Sequence, residues 1–422
     1  MRGFGYRSIR VTMAGIALLL ATPTTAQSGK SRWVASWAAS QMAVEDRNAL
    51  SSEDLTDTTL RQTIHLTAGG QRIRVRLANN FGIGPLRLKS VHVARAAAPG
   101  SAAIDPASDR AVTFAGQGVV IIPEGATYLS DPVDLAVKPL DNLAISFHIA
   151  QPPARQTGHP GSRTTTHIVK GDHVADTNLE GARTVERWHQ IAGIDVETDR
   201  KATAVVAFGD SITDGNGSTT NGNDRWPDIL AARLQENRST RHISVLNHGI
   251  GGNRLLQDGT GPNALARFER DVLGQPGVRY LIILEGINDI GNISRDRPSS
   301  KEEHAALVAR MIAAYQQMVA KARSGGIRVY GATILPFAGS DYSRRDPLNE
   351  ADRQAVNQWI RTPGNFDAVI DFDAAIRDPQ QSQRMLPAYD KGDGLHPSAA
   401  GYKTMGEAIP LSLFNAMSGN RK

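Results

Sequence analysis

The chain contains no cysteine. Disulfides cannot brace it and thiol chemistry is excluded, so stability must come from packing. It has no dense Lys/Arg run. The formal charge is +5, but Arg2, Arg7 and Arg10 supply three of those charges within residues 1–26, which hold no Asp or Glu, and +2 remains for the rest. So small an excess gives no electrostatic footprint for nucleic acid. No apolar run approaches the roughly 20 residues of a bilayer span, so no membrane span is expected. No His-x-x-x-His pair or acidic cluster calls for a metal, and nothing calls for a cofactor. The glycines from Gly209 to Gly217 lack the Gly-Lys-Ser/Thr ending of a phosphate loop, and Gly-x-Ser-x-Gly, the elbow of α/β-hydrolases, is absent. There is no internal repeat.

What is present fits two domains and a leader. The length of 422 residues, with 40% hydrophobic and 21% charged residues, supports real cores. Arg2, Arg7 and Arg10 precede an apolar stretch from Val11 to Ala21, and Thr24-Thr25-Ala26 offers small residues for cleavage before Gln27. Residues 1–26 therefore read as a signal peptide, with export to a periplasm or the medium.

Residues 30–198 alternate in the manner of short strands. In Gln71–Leu77, Ile73, Val75 and Leu77 share one face and three arginines the other; Leu143–Ile149 has apolar side chains at every second place. Val119–Ile122 and Leu86–Val93 add further strands, separated by turn clusters. An all-β sandwich or jelly-roll-like accessory domain is expected. The arginine row reads first as a solvated face, with an acidic sugar or the second domain as alternative partners.

Residues 200–418 switch to alternating apolar runs and helical stretches. Ala204–Phe208, Ile243–Leu246, Tyr280–Leu284, Val329–Ile334 and Val369–Phe372 read as buried parallel strands; Trp226–Glu236, Glu302–Ser324, Leu348–Arg361 and Ser398 to about Ala416 read as helices. Such alternation gives a parallel sheet between helical layers, with ligands at the carboxyl ends of the strands. Four chemically loaded segments fall at those ends: Gly209-Asp210-Ser211-Ile212-Thr213-Asp214-Gly215, Gly251-Gly252-Asn253, Gly286-Ile287-Asn288-Asp289 and Asp393-Gly394-Leu395-His396.

A serine hydroxyl is a weak nucleophile until a base takes its proton. His396 is the candidate base, Asp393 its orienting acid, and Asp371 and Asp373 are rival acids. Attack on an ester creates an oxyanion, which fixed donors stabilise by roughly 3 kcal/mol each. The candidates are the backbone N–H groups of Ser211 and Gly252 and the side-chain amide of Asn288. Each residue alone has a plain structural reading: a turn at Ser211, a loop glycine at Gly252, an Asn288 capping a helix from Ile290. Together, in this order and at strand ends, they favour nucleophilic catalysis. Arg225 and Trp226 are candidate lining residues of a substrate pocket, Trp226 equally a core residue. His159 and His167 could reach the site from the first domain or belong to loops.

The four segments resemble the blocks of the SGNH hydrolase superfamily, the GDSL-type esterases and lipases. The resemblance covers about residues 200–418. It implies a flavodoxin-like three-layer α/β/α sandwich in which Ser211 is nucleophile and first oxyanion donor, Gly252 and Asn288 the other donors, His396 the base and Asp393 its partner. Ile212 replaces the nominal leucine. Gly251 stands where a serine is frequent, which implies a more flexible second oxyanion loop. The β-rich part is similar to that of a secreted subset whose chains open with a Trp-rich strand like Trp33-Val34-Ala35-Ser36-Trp37. The expectation is a secreted esterase acting on small acyl, above all acetyl, esters of a carbohydrate. A lipid acyl hydrolase and a non-catalytic carbohydrate-binding protein on a degenerate scaffold are the alternatives.

Overall fold

The computed structural model describes residues 1, 3, 31–199 and 201–415. Apart from residues 1 and 3, the leader expected at 1–26 lies outside the described residues. Among these residues no helix is long and apolar enough to cross a membrane.

The β-rich region is built from antiparallel sheets. One has the order Arg32–Ala38, Ile191–Thr198, Arg72–Ala78, Thr127–Leu129. The larger one runs Arg183–Val185, Thr166–Lys170, Thr58–His65, Asn142–Ile149, Leu86–Arg95, with two short strands beyond. Ile73, Val75 and Leu77 from the first and Leu143, Ile145 and Phe147 from the second enter one core. Asn142–Ile149 is buried on its second face too, because Ser146 and His148 there receive Arg61 and face Asp57. The arginine row is mostly not solvated. Residues 72, 74 and 76 lie beside the strand that carries Asp195 and Glu197. Arg72 pairs with Glu197 and Arg76 with Asp195, while Arg74 stacks on Trp33. Arg76 also reaches Gln275 of the second region, at 2.8 Å.

Between Thr198 and Thr203 the chain enters a five-stranded parallel sheet of order Ile243–Gly249, Thr203–Gly209, Val278–Leu284, Arg328–Ala332, Ala368–Ile370. In chain order this is 2-1-3-4-5, the flavodoxin-like arrangement, whose switch point lies beside the first strand. Helices Trp226–Glu236, Lys301–Ser324, Leu348–Arg361 and Ala399–Ala408 accompany it. Ser300 and Glu303 form a capping box at the start of the longest helix. The last helix is shorter than expected. Ser398 caps it, but Pro410 follows an extended Ile409 and only the 3₁₀ turn Leu411–Phe414 remains; Ala416 lies outside the described residues.

The two regions share one buried core. The Trp-rich strand Arg32–Ala38 lies along the edge strand Ile243–Gly249: Ser244 Oγ donates to the Ala35 carbonyl, and Thr67 Oγ1 accepts from Val245 N–H and faces the Val245 carbonyl, both at 3.0 Å. The β-rich region thereby covers a parallel edge that would otherwise offer open backbone groups.

Candidate active site

Asp210 holds the start of the nucleophile segment. Its Oδ1 accepts the Ile212 N–H at 2.9 Å, capping the single turn Ser211–Asp214, which closes on the left-handed Gly215. This sets Ser211 at the carboxyl end of the first parallel strand, 5% exposed.

At the other end of the chain, Asp393 Oδ1 accepts the backbone N–H groups of Leu395 and His396 at 3.0 and 2.8 Å, and Oδ2 lies 2.7 Å from His396 Nδ1. A carboxylate only accepts, so Nδ1 carries the proton and Nε2 presents its lone pair. Ser211 Oγ lies 2.8 Å from that Nε2. Burial pulls the Asp393 carboxyl upward, but the hydrogen bonds from the His396 ring and backbone outweigh it and hold the group well below the usual carboxylate range. Asp393 thus stays ionised and fixes the ring. The rival acids face elsewhere: Asp371 is held by Arg361 and Thr333, and Asp373 by Arg353 and Arg361.

Around this chain stand residues that sequence reasoning missed. Asn216 Nδ2 approaches His396 Nε2 at 3.2 Å, and its own Oδ1 accepts from Lys391 Nζ at 2.9 Å. Lys391 also lies 3.2 Å from Asp393 Oδ2, and Tyr402 donates to the Asn216 carbonyl. No spacing signals these contacts, since more than 170 positions separate Asn216 from each of these partners.

The two other expected oxyanion segments are tied together. Asn288 Nδ2 donates to the Asn253 carbonyl at 2.8 Å, and its Oδ1 accepts from Tyr342 Oη–H at 2.8 Å, so the amide is held at both ends. Asn288 lies inside the helix Ile287–Asn292, whose N-cap is Gly286; it does not cap a helix from Ile290. Asp289 accepts the N–H groups of Leu255 and Leu256, pinning the loop that follows Gly252. Gly252 has φ 77°, a left-handed conformation, so glycine is required there by backbone shape.

Arg225 borders a small cavity of about 20 Å³ together with His159 and Asp214, whereas Trp226 lies in the core. Trp226 is fully buried and packs on Phe372, 5.5 Å between ring centroids. Arg225 is buried, donates to the Ser162 carbonyl and faces Trp188. Both positions open the helix after the nucleophile loop, and that helix turns into the core there. His167 points to the Gly100 carbonyl, away from the site. His159 does reach the nucleophile segment, with Nε2 2.8 Å from Asp214 Oδ1. An open cleft of about 650 Å³ reaches this hydrogen-bonded chain at Asp393; Ser340, Asp341, Tyr342, Arg345, Arg384 and Asp393 are among its walls. Among the described residues, no group of three or more His, Asp or Glu side chains is placed to hold a metal ion.

Residues 207–404 match the GDSL-like Lipase/Acylhydrolase family. Among solved structures, the chain is similar to a GDSL-like lipase from Bacteroides thetaiotaomicron (20% identity, 52% of this chain and 91% of that one, TM-score 0.37). It is also similar to a catalytic mutant of Axe2, an acetylxylan esterase from Geobacillus stearothermophilus (25% identity, 49% and 91%, TM-score 0.37). No curated protein matches the chain. The matched segment spans all four motif blocks, so residues 207–404 carry a GDSL-like lipase/acylhydrolase domain, as the SGNH-type motifs lead one to expect.

Proposed function

We propose that the protein is an exported serine esterase that removes small acyl groups, acetyl above all, from a carbohydrate. The observation that carries this reading is the unbroken chain from Ser211 Oγ to His396 Nε2 and from His396 Nδ1 to Asp393 Oδ2, at 2.8 and 2.7 Å. His396 takes the serine proton as Oγ attacks the ester carbonyl carbon. The resulting oxyanion accepts hydrogen bonds from the backbone N–H groups of Ser211 and Gly252 and from the Asn288 amide. As the ester C–O bond breaks, the imidazolium gives its proton to the leaving alcohol. Water, deprotonated by the same ring, then attacks the acyl-enzyme; as the acyl C–O bond to Ser211 breaks, the imidazolium returns its proton to Oγ and the acid leaves. Asp393 stabilises the imidazolium in both halves. The cleft beside Asp393 favours a polar leaving group, because charged side chains, among them Asp341, Arg345 and Arg384, stand in its walls beside the apolar Met385, Pro387 and Leu395. The composition of residues 1–26 supports export.

The test is hydrolysis of a chromogenic acetate, with Ser211→Ala expected to lower kcat at least about a thousandfold. A rate series from acetate to decanoate, run beside acetylated xylan and a phospholipid, should peak at acetate and on the polysaccharide. Preference for long chains or phospholipid would favour the lipid alternative. Carbohydrate binding without any hydrolysis would make the chain a binder. Mature protein beginning at Gln27 outside the cytoplasm is the expected result for export.

A further inference from the structure

Gly251-Gly252 is the least constrained stretch of backbone in the proposed site, because glycine carries the largest conformational freedom. An oxyanion donor there needs an anchor, since productive geometry tolerates only about 0.5 Å. The anchor is Asp214, itself held from the other region of the molecule. Asp214 is the last residue of the turn opened by Ser211, and its Oδ2 accepts the Gly251 N–H at 2.9 Å. Its Oδ1 lies 2.8 Å from Nε2 of His159, at the end of the β-strand Thr157–His159. His159 Nδ1 in turn lies 2.8 Å from the Ser40 carbonyl. His159 and Asp214 are 3% and 6% exposed.

The proton count fixes the nature of this link. Both ring nitrogens of His159 face oxygen acceptors, so one proton sits on Nδ1 and a second lies between Nε2 and Asp214 Oδ1. The pair is a charge-assisted hydrogen bond. The surroundings leave Asp214 little freedom. A Cβ on Gly161 would lie 2.0 Å from Asp214 Oδ2, and one on Gly249 would lie 2.2 Å from the Asp214 N–H nitrogen. Asn247 Nδ2 also donates to the Thr213 carbonyl, and Arg225 ties the same turn's surroundings to Ser162.

We propose that His159 is a positioning residue for ester hydrolysis: through Asp214 it holds the Gly251-Gly252 segment, so that the β-rich region sets the geometry of the second oxyanion donor. This rests on the reading of Ser211 and Gly252 given above. His159 touches no reacting atom; it acts on the donor that does. The β-rich region is then part of the catalytic apparatus as well as a cover for the sheet edge.

The decisive variant is His159→Asn in the full chain. Asparagine keeps a donor for the Ser40 carbonyl but is too short to reach Asp214, so the fold should survive. Deleting an oxyanion donor costs about 100- to 1,000-fold in kcat, and loosening one should cost about 10- to 30-fold. The expected result on the chromogenic acetate, read per folded molecule at a temperature well below the lowered melting point, is a fall in kcat of that size with KM within about twofold. The rate at which a phosphonate ester modifies Ser211 should fall in parallel, since its adduct occupies the same oxyanion position. Asp214→Ala should lose as much. Asp214→Asn should recover most of the loss, because its amide can still accept from Gly251 and donate to a neutral His159; a side chain with a merely space-filling role would give Ala and Asn alike. Wild-type kcat in His159→Asn, a loss expressed only in KM, or equal loss in the two Asp214 variants overturns the inference while leaving the esterase reading intact. Undiminished activity in Ser211→Ala would instead overturn the esterase reading, and this inference with it.

Discussion

Arg61 in the β-rich region and Arg267 in the parallel-sheet region are both buried, and the two are used differently. Arg61, in the β-rich region, donates from Nε to Ser146 Oγ at 2.8 Å and from its guanidinium to the carbonyls of Ala102, Val174 and Asp176. Those carbonyls belong to two loops that cross one sheet face, and the arginine fastens them to the strand beneath. Arg267, in the parallel-sheet region, donates to the carbonyls of Gly209 and His248, to Asn253 Oδ1 and to Asp271, and lies 3.5 Å from Glu285. Gly209 precedes Asp210 and Ser211, His248 is the penultimate residue of the neighbouring strand, and Asn253 follows Gly252. The same guanidinium chemistry fastens loops to a sheet in one region and gathers the loops of the site in the other. A buried cation is therefore informative through what it joins, not through being buried.

The strongest way to break this comparison is Arg267→Met. Removing one member of a buried charged group leaves Asp271 and Glu285 short of a partner, at a cost of about 3–5 kcal/mol. Urea unfolding should show that loss, and the folded fraction should have kcat reduced at least about tenfold, since three loops of the site lose their shared donor. Full kcat per folded molecule would make Arg267 a fastener like Arg61. The counterpart, Arg61→Met, should cost about 2–4 kcal/mol by leaving several buried carbonyls unpaired, with kcat of the folded protein unchanged. A matching fall in kcat would erase the distinction between the two regions.

The contrast also explains what was legible in the sequence. Strands such as Arg72–Ala78 and Asn142–Ile149 are visible because alternation is a local property. Asp393 and His396 are visible together because they are three positions apart on a turn. The arginine row shows the limit of such patterns. Period-two alternation identifies a polar face, but Arg72 and Arg76 meet Glu197 and Asp195 on a strand more than 100 positions away. Alternation cannot tell solvent from an acidic partner. The links from His159 to Asp214 and from Tyr342 to Asn288 span 55 and 54 positions and leave no periodic trace. Trp226 illustrates the opposite limit: proximity in sequence to the Ser211 loop is not proximity to a cleft, because the helix it opens points it into the core.

Buried titratable groups sharpen the comparison by pulling stability in opposite directions with pH. In the β-rich region, burial depresses His189 to about 3, helped by the charge of Arg187. Folded protein then binds fewer protons than unfolded protein between about pH 3 and 6.5, so this group's contribution improves as pH rises through that window. Beneath Ser211, burial lifts Asp210 to about 7, with the Ile212 N–H opposing the rise and Asp289 adding to it; burial likewise lifts Asp289 to about 6. These carboxyls hold protons that the unfolded chain has lost, so their contribution is fullest near pH 4 and fades as pH rises to about 7. Asp210→Asn keeps an acceptor for Ile212 and removes the charge. Its stability relative to wild type, from urea midpoints, should rise by about 2 kcal/mol between pH 5 and 7.5. A constant offset would mean that Asp210 titrates like an ordinary acid.

The smallest expected effect isolates one hydrogen bond within the site. Tyr342 reaches Asn288 Oδ1 from a cleft wall, and its hydroxyl can only be donating there, because an amide oxygen accepts. That bond fixes which edge of the amide presents N–H groups, and one of those is committed to the Asn253 carbonyl. Tyr342→Phe keeps the ring in the cleft wall and deletes only the donor, worth about 1 kcal/mol in ordinary cases. If the amide serves the oxyanion, the loss should fall on kcat, about five- to tenfold on the chromogenic acetate, with KM nearly unchanged. A rise in KM at constant kcat would place Tyr342 with the leaving group instead, and would make the amide's orientation a property of the Asn253 contact alone.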